Sequence, residues 1–157
     1  MKILSVALIL SFCGSTFAAK TLQDQLKGGW ALTGLTCKGS PQKLENNYVL
    51  RFEGKTGEYI SKTKGCTQKE PEIFQYLSDK TISIKSGVRS CNPTPCTADL
   101  PATECGKETN ASVAEFNVEI KKDGNQMILS TEDPKSVDCI GPGQSKPAVF
   151  TFVRKTN

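Results

Sequence analysis

The chain has 157 residues, 37% of them hydrophobic, and 20 basic side chains face 16 acidic ones for a formal net charge of +4. That charge is too mild and too evenly interspersed to imply a nucleic-acid partner. Histidine is absent, which excludes a Ser-His-Asp triad, a Cys-His pair, an HExxH zinc site and any histidine general base.

Residues 1–18 read as a secretory signal peptide: Lys2 precedes the apolar run ILSVALIL, and small residues lead to Thr16-Phe17-Ala18. Cleavage after Ala18 removes Lys2 and Cys13 and leaves 139 residues with six cysteines and a net charge of +3. That length suits one domain with its own core. Phe12 stands where a lipid-anchor motif at Cys13 needs a small residue. No other segment approaches ~20 apolar residues, so no membrane span is expected. The expected destination is the periplasm or the cell exterior, where an even cysteine count reads as three disulfides.

An N-terminal segment, 19–27, precedes the domain at 28–157, and TLQDQLK (21–27) is predicted to make two helical turns that Gly28-Gly29 stop. Strand-like runs follow, separated by turn signals. WALTGLTC (30–37) is the first and NYVLRFEG (47–54) the second; a turn at Gly54 to Gly57 leads into a third that ends near Lys64. EIFQYL (72–77) and KTISIKSGV (80–88) meet at Ser78-Asp79. SVAEFNVEIKKDGNQMILSTED forms a hairpin about Asp123-Gly124, and AVFTFVRK (148–155) is the last strand. Glu70 and Glu72 flank Pro71 and read as turn material. No carboxylate pair stands out for catalysis, so an enzyme is not expected.

Three links are tight turns: second to third, fourth to fifth, sixth to seventh. The other four are read as longer. In antiparallel up-and-down order the long links share one end, and Cys37, Cys66, Cys91, Cys96, Cys105 and Cys139 all fall there. The fold class expected is therefore all-β, an eight-stranded antiparallel up-and-down barrel with disulfide-tied loops at one end. SCNPTPCTADLPATEC (90–105) becomes a tied lid in that reading. A metal site is the competing account of its cysteines, but there is no C-x-x-C pair and no histidine to complete a mixed set. No metal or cofactor is expected. Asn110-Ala111-Ser112 matches a glycosylation acceptor.

Eight strands opened by Leu26-Lys27-Gly28-Gly29-Trp30 and closed by Phe150-Thr151-Phe152-Val153-Arg154 resemble a lipocalin-like domain of the calycin group. Gly28 and Trp30 match that group's G-x-W opening. Arg154 fits its terminal arginine, which the resemblance implies packs across Trp30 to close the barrel. The resemblance implies a monomer that holds a small apolar ligand in the barrel, with Tyr48, Leu50, Phe52, Phe116, Val118, Phe150 and Phe152 as candidate contacts. Tyr48, Phe116 and Phe150, nearer the long-link rim, suit a pocket; residues near Trp30 suit a plug. Exported bacterial protease-inhibitor barrels share the opening, so the alternative is a filled scaffold that binds a protein partner through its disulfide-fixed rim. A void of ~300 Å³ or more favours the ligand.

Overall fold

The computed structural model describes residues 20–37, 39–44, 46–63, 65–92, 113–121, 123–132 and 147–155. Thr21 starts the helix α1 (Leu22–Leu26): its hydroxyl accepts from the Asp24 amide at 3.2 Å, and Asp24 places a carboxylate beside the free N–H groups of the first turn. Only Leu22 and Leu26 of the helix are buried. Gly28, at φ +112°, takes a conformation that costs other residues dearly and swings the chain straight into the first strand.

Ten strands follow: β1 (Gly28–Cys37), β2 (Ser40–Gln42), β3 (Asn47–Glu53), β4 (Thr56–Thr63), β5 (Cys66–Ser78), β6 (Thr81–Ser86), β7 (Ser90–Asn92), β8 (Val113–Ile120), β9 (Gln126–Thr131) and β10 (Ala148–Arg154). Eight of them form an antiparallel up-and-down barrel in the order β10-β9-β8-β6-β5-β4-β3-β1, which pairing of β1 with β10 closes. This is the calycin-type, lipocalin-like architecture. The short strands β2 and β7 are additions at one rim, paired with β1 and β5. Alternation produces the two faces: Leu50 and Phe52 on β3 point inward while Arg51 and Glu53 are exposed, and Ala114 and Val118 on β8 do the same against Glu115 and Glu119.

The link between β4 and β5 corrects one expectation. It is not long: Thr63 pairs with Cys66 across two residues, and Gly65 takes the positive φ that such a turn requires. Strand β5 consequently begins at Cys66 rather than at residue 72 and runs for 13 residues.

The two ends of the barrel differ. At the tight-turn end, Leu22, Leu26, Trp30, Phe52, Phe74, Ile82, Val118 and Met127 form a continuous buried cluster, with the rings of Phe52 and Phe74 4.4 Å apart. Trp30 is fully buried, and its indole Nε1 donates to the Leu26 carbonyl at 2.6 Å. The Arg154 guanidinium lies over the Trp30 ring, 4.2 Å from its centroid. Its three nitrogens donate to three backbone carbonyls: Nε to Gly124 at 3.1 Å, Nη1 to Lys27 at 2.9 Å and Nη2 to Gln25 at 2.7 Å. One planar cation thus gathers α1, the start of β1 and the β8–β9 turn onto the end of β10.

The expected disulfide-tied rim needs correction. No two of the described cysteines lie at bonding distance from one another, so no disulfide joins one described strand to another; pairing of β1 with β10 closes the barrel wall. Cys37, Cys66 and Cys91 do sit at the same end, and they are not free thiols. Cys96, Cys105 and Cys139 lie outside the described residues, as do the signal peptide and Asn110.

Candidate functional site

Strand β5 positions the site. Its inward residues are Cys66, Gln68, Glu70, Glu72 and Phe74, all buried, while Lys69, Pro71, Ile73 and Gln75 face out. Two carboxylates and an amide therefore enter a barrel whose other inward positions are mostly apolar. Glu70 stands opposite Tyr59 of β4, and Glu72 stands between Gly57 of β4 and Ser86 of β6.

Glu70 and Glu72, with Tyr59 and Ser86, line a cavity of about 220 Å³ in the half of the barrel away from Trp30. Every barrel strand contributes to it. Leu32, Leu50, Ile84, Ala114, Leu129, Phe116, Phe150 and Phe152 supply apolar surface, and Tyr59, Glu70, Glu72 and Ser86 supply a polar wall. The Phe116 and Phe150 rings meet edge to face, 6.1 Å apart at 76°. Four of the seven residues expected to touch a ligand, Leu50, Phe116, Phe150 and Phe152, are thus brought together around one space. Phe52 and Val118 belong to the packed cluster instead, and Tyr48 stacks on Tyr59 at 5.8 Å while its hydroxyl accepts from Asn46. The cavity is smaller than the ~300 Å³ expected of a ligand site, which limits the size of any occupant.

The two carboxylates differ electrostatically. Arg89 holds Glu70 with a fork, Nε at 3.2 Å and Nη2 at 3.0 Å from Oε2. Glu72, 5% exposed, has no cation beside it among the described residues. The Ser86 hydroxyl lies 3.1 and 2.9 Å from its two oxygens, and one hydrogen serves only one of them at a time. Burial pushes the Glu72 carboxyl up to about 7, the Ser86 hydrogen bond opposes this, and the Glu70 charge adds to it. Burial also raises the Tyr59 phenol, helped by Tyr48 and Glu70.

A stability consequence follows. Because the folded pKa of Glu72 lies above its ordinary value of 4.5, ionisation is harder in the barrel than in the unfolded chain. Stability is full below about pH 4.5, declines as pH rises toward about 7, and stays lowered above it. Glu72→Gln, which keeps an oxygen for Ser86, removes the decline. Denaturant titrations are expected to show the variant about 2 kcal/mol more stable than the parent at pH 8 and equal to it at pH 4; a constant difference across that range would contradict the assignment.

Sequence reasoning missed Gln68, Glu70 and Glu72. Counting back from Phe74 in steps of two would have found them, but Pro71 in the run signalled a turn. Among the described residues no group of three His, Cys, Asp or Glu could hold a metal ion, and no helix is long and apolar enough to cross a membrane.

Compared with protein-family models, curated proteins and solved structures, the chain matches none. Its functional reading therefore rests on the barrel and on what lines it.

Proposed function

We propose that this chain is an exported, non-enzymatic binding protein that holds one small, largely apolar molecule in the rim-side half of its barrel. The carrying observation is the cavity itself: one half of the lumen is packed with side chains, whereas the other holds an open cavity of about 220 Å³ ringed by all eight barrel strands. A filled scaffold would have the two halves alike, so the hollow half favours a ligand over the protein-partner alternative. An apolar cavity of about 150 Å³ holds benzene. On that scale the space here suits one ring with a chain of two or three atoms.

The test fills the cavity from within. Ala114 is buried and lines it, so Ala114→Phe places a ring in the space that the ligand would use. In an NMR titration with propylbenzene as probe, the parent is expected to bind and the variant to bind at least tenfold more weakly, while circular dichroism shows an intact barrel. Equal binding by a folded variant would overturn the proposal. Extraction of protein made with residues 1–18 in place, followed by mass spectrometry, then identifies the natural occupant.

A further inference from the structure

Resting on the cavity reading above, we infer that the molecule held in this barrel carries an ammonium group, and that Glu72 is the side chain that receives it.

The argument begins with charge inside the lumen. A carboxylate taken out of water is costly unless a cation or several hydrogen bonds compensate it. Glu70 meets that requirement through the Arg89 fork, and the guanidinium is committed there. Glu72 does not. It is 5% exposed, it lines the cavity, and Ser86 is its hydrogen-bond partner among the described residues. An ionised carboxylate offers about four acceptor sites, and the Ser86 hydroxyl occupies one of those on Glu72 at a time. An ammonium group, compact and with three donors and no acceptor, complements that arrangement.

A second observation lies further along the same inward face. Gln68, two residues on the rim side of Glu70, is 7% exposed, and its Nε2 has no hydrogen-bond partner among the described residues. A buried amide donor left unpaired is unfavourable, and although Gln68 stands beyond the residues that line the cavity, an occupant extended toward the rim with a hydroxyl, ether or carbonyl oxygen would satisfy it. The facing wall sets the rest of the ligand's chemistry. Strand β10 lies four strands round the barrel from β5 and brings Phe150 and Phe152 to the cavity, with Phe116 edge-on to Phe150. An apolar ring against these aromatics and an ammonium on Glu72 describe an arylalkylamine, of a size that the cavity volume admits.

The experiment uses two probes of nearly equal shape, 2-phenylethylamine and propylbenzene, titrated by NMR into the full chain and into Glu72→Gln at pH 8. The parent is expected to bind the amine at least tenfold more tightly than the hydrocarbon. In the variant the amine is expected to lose that advantage, so that the ratio of the two affinities falls to within about twofold of one. If the parent binds both probes equally, or the variant keeps the preference, the ammonium inference is overturned and the cavity reading stands. If neither probe binds the parent, the cavity reading falls and the inference falls with it.

Discussion

Trp30→Ala is expected to lower stability by about 4 kcal/mol, the range for deleting a large aromatic from a packed core. Trp30 is fully buried, and its loss acts three ways. A cavity opens among Leu26, Phe52 and their neighbours; the Leu26 carbonyl loses its indole donor; and the Arg154 guanidinium loses the ring face beneath it. Trp30→Phe keeps most of the volume and a ring face but not the donor, so it is expected to cost about half as much. Urea titrations of the two variants check this. A loss below about 1 kcal/mol for Trp30→Ala would mean that the packed end contributes little to stability.

Gly57→Ala is expected to cost about 3 kcal/mol or to prevent folding, since overpacking where backbone must move lies at the upper end of such penalties. A Cβ at residue 57 would collide with the Arg51 carbonyl oxygen and come within 2.7 Å of Phe74 Cε2. Gly57 pairs with Phe52 on one side and Glu72 on the other, so its missing side chain makes room for the Phe52–Phe74 contact. Phe74→Leu is expected to relieve part of the clash with the ring but none of the clash with backbone. The double variant should therefore recover less than half of the lost stability in the same titration, and full recovery would show the backbone contact to be unimportant.

The alternation of apolar and polar residues makes seven of the eight barrel strands legible in the sequence. Leu50 and Phe52 against Arg51 and Glu53, or Phe116 and Val118 against Glu115 and Glu119, have one arrangement that buries the first set and wets the second. The placing of Arg154 over Trp30 comes instead from the resemblance that Gly28, Trp30 and Arg154 carry, and the guanidinium does lie over that ring. Strand β5 was not legible, because its rim half inverts the code: Gln68, Glu70 and Glu72 point in, while Pro71 and the 57%-exposed Ile73 point out. Binary patterning assumes that the inside is apolar, so it fails where polar side chains line the inside. The β4–β5 turn was misread for the same reason, since moving the start of the strand to residue 72 turned a two-residue connection into a loop.

The seam between β1 and β10 joins the most distant parts of the chain. Arg154 reaches back 129 positions to the Gln25 carbonyl, whereas the other barrel ladders join strands adjacent along the chain or separated by one short strand and its connections. Contacts of such long range are entropically expensive before they are rewarded, which makes ring closure the late step in folding. A sheet whose ring is not closed has two bare edges, β1 and β10, and offers Leu32, Phe150 and Phe152 no lumen to enter. Open edges of that kind template pairing between molecules. Refolding yield is thus a race between a strand finding its own distant partner and finding a neighbour's, and Arg154 is the latch that ends it.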